Sequence, residues 1–297
     1  MRRILPALAL ASSAIAVVAG CSTAATTARP AGHHDARPPA SYYLSLGDSL
    51  SQGVQPNSAG ASAATRHGYA DMLYAELRAR HPGLRLVKLG CPGETTATMI
   101  KGGICRYPGG AQLAAAVRFL RAHPGKVSLI TLDIGANDPN SCLTQASPAR
   151  VASCLGTSIP HVSTNLTKIL TSLRAAGLGT RIIGMNYYLP TLAQWRSGLT
   201  GQWLARLTAL AATGYNTVLT HIYRAHGARV DDVFNAFHTA DFTGRVTLAG
   251  LGTLPRNVAA ICRWTWECAG PPRGPNIHPN QAGYRVIAHL FVLAGAR

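Results

Sequence analysis

Alternation is the feature that most restricts the folds open to this chain. Five short apolar runs, YYLSL (42–46), LRLVKL (84–89), VSLITLDI (127–134), TRIIGMN (180–186) and ARVDDV (228–233), are separated by longer stretches with helical spacing. Those stretches are YADMLYAELRARH (69–81), AQLAAAVRFLRAH (111–123), HVSTNLTKILTSLRAAG (161–177) and a long segment over 192–226. A last helix opens after His278 and runs to about Leu293. Strands buried on both faces read as continuous apolar runs, and parallel strands need crossover helices between them. The pattern predicts an α/β chain: a three-layer α/β/α sandwich around a mainly parallel five-stranded sheet. With 47% hydrophobic and 13% charged residues a sizeable core can be buried, and no internal repeat or second boundary divides residues 41–297. In such sheets ligands gather at the C-terminal ends of the strands, so the residues following each strand carry the functional information.

The N-terminal segment reads differently. Residues 1–20, MRRILPALALASSAIAVVAG, join two arginines to an apolar run too short for a stable membrane span, as an export signal peptide does. VAGCS (18–22) has the form of a bacterial lipobox, which makes Cys21 a lipidated residue and the membrane surface a partner; a plain secretory signal with a coincidental Cys is the alternative. General and twin-arginine export both remain open. Residues 21–40 are then the lipidated Cys and a flexible linker rich in Ala, Thr and Pro. Its GHHD (32–35) could hold a metal ion but reads as solvated linker. Of the seven cysteines, Cys21 goes to lipid, and the even remainder in an exported chain reads as disulfides. Their spacing favours Cys91–Cys105, Cys142–Cys154 and Cys262–Cys268, while CxxC or HxxxH spacing for zinc is missing. The formal charge of +17 draws the surface to anionic lipid headgroups or phosphate-bearing wall polymers. Basic residues are scattered with few aromatics among them, so no nucleic-acid site is expected, and the chain is expected to be a monomer.

Three loops follow consecutive strands. GDSLSQG (47–53) puts Gly47 in a tight turn and Ser49 above the sheet, and it is not a GxSxG nucleophile elbow, because Ser51 stands where the second Gly would. GCPGETT (90–96) brings Gly93, whose backbone N–H can approach a ligand closely. GANDP (135–139) brings the amide of Asn137. With the segment RGPNIHPNQAGY around His278, these blocks resemble, in order and rough spacing, those of the SGNH subgroup of GDSL-type esterases and lipases. The resemblance spans residues 47–278 and implies a flavodoxin-like fold and carboxylic ester hydrolysis through an acyl-enzyme. It implies Ser49 as nucleophile, His278 as base, and the Ser49 N–H, Gly93 and Asn137 as oxyanion donors. The chemistry suits these types: serine is a poor nucleophile until an imidazole takes its proton, and the oxyanion needs preorganised donors. Nothing in it calls for a metal or organic cofactor.

One position departs from the resemblance. The family commonly places an Asp three residues before the His, and here that position is Pro275. Three orienters are open for His278: the Pro275 main-chain carbonyl, the Asn276 side-chain oxygen, or a distant acid such as Glu267 or Asp241 folding back. Loss of catalysis is the further alternative, leaving a lipid-anchored protein that binds a glycan or acyl chain in the same crevice. Asp48 and Asp138 read as structural braces. The helix opening after His278 disfavours an imidazolium at its N-terminal end, which predicts a neutral to alkaline activity optimum. The substrate would be a lipid, an acylated polymer or a small ester, its pocket walled by loops such as 139–160 and 236–275.

Overall fold

A computed structural model describes residues 41–139 and 148–296. The five apolar runs are strands β1 (Ser41–Gly47), β2 (Leu84–Lys88), β3 (Val127–Asp133), β4 (Arg181–Met185) and β5 (Arg229–Asp231). Every pairing between them is parallel and their order is β2-β1-β3-β4-β5. This is the flavodoxin-like order, whose direction reverses between β1 and β3. Burial explains the composition of the strands: Tyr43, Leu44, Leu46, Ile130, Leu132 and Ile183 are completely inside, because helices cover both faces.

Helices α1 (Tyr69–Arg80), α2 (Thr96–Lys101), α3 (Gln112–Ala122), α4 (Pro148–Ala176) and α5 (Gly198–Ala225) fill the crossovers. After β5 come α6 (Val233–Ala236), α7 (Arg256–Trp264) and α8 (Gln281–Leu293). Helices α1 and α8 pack on each other, with Tyr69 stacked on Phe291 at 4.8 Å, while α4 packs against both α3 and α5. The two groups are the outer layers of the expected sandwich.

Three expectations change. The long helix over 192–226 is broken into a 3-10 segment (Pro190–Arg196) and α5, and Gly198 sits at the break with φ of +78°, where a side chain would be disfavoured. Helix α4 starts at Pro148, so it absorbs much of the stretch expected as loop and carries Pro160 within it. The stretch 236–275 holds a hairpin (Arg245–Leu248 with Gly252–Pro255) and α7. Disulfides Cys91–Cys105 and Cys262–Cys268 are formed as expected. The third expected pair, Cys142–Cys154, involves Cys142, which lies outside the described residues, as do Cys21 and the GHHD segment.

Candidate active site

The loop after β1 is built around Gly47. Its φ is +132°, and a Cβ placed there would stand 2.0 Å from the Asp133 carbonyl oxygen, so only glycine fits between β1 and β3. Gln112, the first residue of α3, clamps this glycine: its Oε1 accepts the Gly47 N–H at 2.7 Å and its Nε2 donates to the Gly47 carbonyl at 2.9 Å. The same Nε2 reaches Glu94 Oε2 at 3.1 Å, tying the second loop to the first. The Cys91 N–H adds a bond to the Gly47 carbonyl at 3.0 Å.

Two carboxyls lie beneath the turn. Asp48 Oδ1 accepts the Leu50 N–H at 3.0 Å, the bracing role expected from sequence, and Asp48 Oδ2 accepts from Tyr187 Oη at 3.3 Å. Asp133, which closes β3, accepts the Ser51 N–H at 3.1 Å and the Tyr69 hydroxyl. Burial pushes the Asp48 carboxyl up to about 6. Burial and the neighbouring Asp48 push Asp133 well above the usual carboxylate range. Two buried carboxylates side by side cannot both ionise cheaply, and burial is the largest cause of the upward shift at each.

Ser49 sits on this braced turn. His278 Nε2 lies 3.0 Å from Ser49 Oγ, and His278 Nδ1 lies 2.8 Å from Asn276 Oδ1. Local chain geometry decides the protonation. The His278 backbone N–H, which can only donate, points at the same Asn276 oxygen at 3.1 Å, and Asn276 Nδ2 donates to Ser62 Oγ at 2.9 Å. The oxygen assignment of the amide follows, so Nδ1 carries the proton and Nε2 is left to accept from the Ser49 hydroxyl. The Asn side chain folding onto the N–H two residues ahead is an Asx turn, a geometry this residue type favours.

The ring's Nδ1–H is thus bonded to the Asn276 side chain, and among the described residues the Pro275 carbonyl, the other close partner expected, takes no bond from it. Neither distant acid reaches the ring. Asp241 is engaged by the N–H groups of Thr243 and Gly244 and by Arg256 at 3.4 Å. Glu267 keeps a buried carboxyl oxygen with no hydrogen-bond partner among the described residues, and burial raises its pKa. With no anion beside it, His278 is held by burial down to about 4, so it is neutral at physiological pH. The direction is the one expected from the following helix, but the cause is desolvation. That helix starts at Gln281 and is capped by the Asn280 side chain.

The expected oxyanion residues Gly93 and Asn137 lie on the loops that follow β2 and β3. Gly93 has φ of +82°, and a Cβ there would meet nothing within 4 Å, so its backbone borders open space. Among the described residues neither the Ser49 nor the Gly93 N–H has a protein acceptor. Asn137 Nδ2 donates to the Glu94 carbonyl at 2.9 Å, which fixes its amide beside the Gly93 loop. Asp138 acts as a brace, accepting the Thr96 N–H at 2.9 Å at the start of α2. A cavity of about 440 Å³ lies between α2 and α4, lined by Thr95, Lys101, Asp138, His161 and Asn165 among others, and neither Ser49 nor His278 is among its lining residues. Among the described residues no group of three or more His, Cys, Asp or Glu is placed to hold a metal ion.

Sequence comparison bears on this geometry directly. The sequence pattern of the GDSL-like lipase/acylhydrolase family matches residues 45–286, from β1 to α8. The chain belongs to that family. This GDSL-like protein is accordingly a carboxylic ester hydrolase. Its fold is similar to that of an extracellular lipase from Streptomyces rimosus, at 20% identity over 87% of this chain and 100% of that one, with a TM-score of 0.54. It is similar also to phospholipase A1 from Streptomyces albidoflavus NA297, at 21% identity over 87% of this chain and 100% of that one, TM-score 0.52. A lipase, Lip_vut3, from a goat rumen metagenome gives 17% identity, coverage of 86% and 97%, and a TM-score of 0.53. At these identities the likeness concerns the fold. No curated protein sequence matches the chain.

Proposed function

We propose that this GDSL-like hydrolase works as a serine esterase through an acyl-enzyme on Ser49, with His278 as base and the Asn276 amide as its neutral orienter. The observation that carries the reading is the 3.0 Å contact between Ser49 Oγ and the unprotonated Nε2 of His278, with Nδ1 occupied by Asn276. Ser49 Oγ attacks the ester carbonyl carbon while its proton passes to Nε2. The oxyanion of the tetrahedral intermediate is met by the N–H groups of Ser49 and Gly93 and by the Asn137 amide, each such donor contributing about 100- to 1000-fold in rate. His278 then hands the proton to the leaving alcohol, and the bond between carbonyl carbon and alcohol oxygen breaks. Water, deprotonated by the same ring, releases the acid from Ser49.

A neutral orienter fixes the tautomer and angle of the ring but offers no charge to the imidazolium that forms. That cost is a property of this enzyme rather than loss of function, because the Asn276 oxygen is itself locked by a backbone N–H. Substrates fitting the site are lipid, acylated-polymer or small esters. The chain is proposed to act outside the cytoplasm as a monomer anchored through a lipid on Cys21. The signal-like residues 1–20, the VAGCS segment and the disulfides at Cys91–Cys105 and Cys262–Cys268 support that placement.

A panel of p-nitrophenyl esters of rising chain length, run on wild type and Ser49→Ala, tests the reading. Turnover is expected from wild type alone, and equal turnover by both would sink the serine mechanism.

A further inference from the structure

The N-terminal half of helix α5 is built the wrong way round for a surface helix, unlike its C-terminal half, which buries Leu219, Ile222 and Tyr223. Leu199, Trp203, Leu207 and Leu210 are spaced four, four and three residues apart, which places them on one side of the helix. That side faces solvent: the four are 85%, 61%, 46% and 73% exposed. The residues turned inward over the same turns are small, Gly201, Ala205 and Ala209. A helix that only completes a globular core does the reverse, burying its large apolar side chains and exposing polar ones. A contiguous exposed apolar face of this kind marks a contact surface.

Its position relates it to the active site. Tyr215 Oη donates to the Gly135 carbonyl at 2.6 Å, just past the end of β3, and Asn216 Oδ1 accepts the Tyr187 N–H at 2.8 Å, just past the end of β4. Tyr223, farther along, reaches back to the Leu132 carbonyl within β3, so α5 runs antiparallel to the strands. The stretch from Tyr215 back to Leu199 then projects about 24 Å beyond the C-terminal edge of the sheet. Ser49 and His278 open on that edge. Ile277, next to His278, is 52% exposed there and is held by Tyr188 through its carbonyl at 2.8 Å.

Charge indicates what the face meets. No Asp or Glu occurs between residues 139 and 230, the stretch that holds α5 and the 3-10 segment before it. Arg196 and Arg206 are exposed at this end of the molecule, and the Arg206 guanidinium lies over Trp195 and Phe242 at 5.1 and 4.9 Å. Asp241, beside Phe242, is engaged by Arg256 and by the amides of its own turn.

We propose that the N-terminal half of α5 docks the protein on an anionic lipid surface, with Leu199, Trp203, Leu207 and Leu210 entering the interface and the surrounding arginines meeting the headgroups. Leucine and tryptophan on one face with cations around them is the arrangement of a helix lying in the plane of a membrane surface. Among the described residues no helix is long and apolar enough to cross a membrane, so the contact is interfacial. Docking this way brings the crevice and Ile277 to the lipid side independently of any lipid on Cys21.

Quenching of tryptophan emission tests it, using the full chain and vesicles in which phosphatidylglycerol with brominated acyl chains is mixed with phosphatidylcholine. Emission is expected to be quenched in wild type, and Trp203→Phe is expected to lose most of that quenching although Trp195, Trp264 and Trp266 remain. The double variant Leu207→Glu, Leu210→Glu is expected to weaken the quenching interaction by about 100-fold or more, with turnover of a soluble short-chain ester unchanged. Undiminished quenching in Trp203→Phe would overturn the proposal, as would equal affinity for vesicles of brominated phosphatidylcholine alone. A wild-type dimer that the double variant splits, seen by light scattering, would assign the face to a second copy and overturn it as well. Quenching in a wild-type protein that cleaves no ester would leave the docking standing and sink the serine mechanism instead.

Discussion

Replacing Asn276 by Asp returns a carboxylate to the ring nitrogen that the amide now holds. The change is nearly isosteric, and one oxygen would inherit both bonds now made by Oδ1, to Nδ1 at 2.8 Å and to the His278 N–H at 3.1 Å. The other would face Ser62 Oγ, which can turn from acceptor to donor. Tautomer and ring angle are therefore kept, and what changes is charge. An opposite charge this close raises a histidine pKa by about 1 to 3 units. From about 4 in wild type, the acid limb of kcat/KM should move to between about 5 and 7. The imidazolium of the transition state gains the same stabilisation, about 1.4 to 4 kcal/mol, which is about 10- to 1000-fold in kcat/KM on the alkaline plateau. Partial exposure of the site places the expected gain nearer the lower end. The assay is hydrolysis of a soluble p-nitrophenyl ester across the pH range, followed at the wavelength where phenol and phenolate absorb equally. The companion variant Asn276→Ala removes the orienter altogether and is expected to lose about 100-fold or more. An acid limb that stays in place in Asn276→Asp, together with full activity in Asn276→Ala, would refute the assignment of Asn276 as orienter.

Two further outcomes concern the braced turn under Ser49. Gly47→Ala would set a Cβ 2.0 Å from the Asp133 carbonyl at φ of +132°, and is expected to cost about 3 kcal/mol or more in urea unfolding. Asp48, raised to about 6 by burial, stabilises the fold fully below its unfolded pKa. That contribution, about 3 kcal/mol, is lost as pH rises through about 6. His278, lowered to about 4, acts in the opposite sense, its contribution present above the unfolded pKa and lost as pH falls through about 4. Across pH 4 to 8 the two oppose each other in wild type, so unfolding free energy should rise more over that range in Asp48→Asn than in wild type.

The strands were legible because burial on both faces leaves no room for polar residues, and the observed ends differ from the apolar runs by a residue or two. Pro160 hid the first turns of α4, because a proline reads as a helix start when its missing N–H goes unnoticed within a longer helix. The break before α5 was written in Ser197–Gly198, yet the apolar residues on either side keep a helical period through it. Within the candidate site, the loops bearing Ser49, Gly93 and Asn137 were legible from their places after strands, whereas His278, between α7 and α8, was legible only from the family resemblance. Asp133 carried a weaker signal, a lone acid ending an otherwise apolar strand. Gln112 and Ser62 carried none, since a glutamine opening a helix and a serine in a loop acquire meaning only from what the fold brings beside them. The choice of Asn276 over the Pro275 carbonyl depended on a turn two residues long, below the resolution of any sequence period.

The central claim is that His278 makes Ser49 a nucleophile. Its most direct measurement is the rate at which a fluorophosphonate attaches to the folded protein, with the adduct located by peptide mass spectrometry, in wild type and in His278→Ala. The account predicts a single adduct on Ser49 in wild type, formed above a pH near 4, and labelling slower by about 1000-fold or more in the variant. An adduct at any other residue, or equal rates in the two proteins, would contradict it.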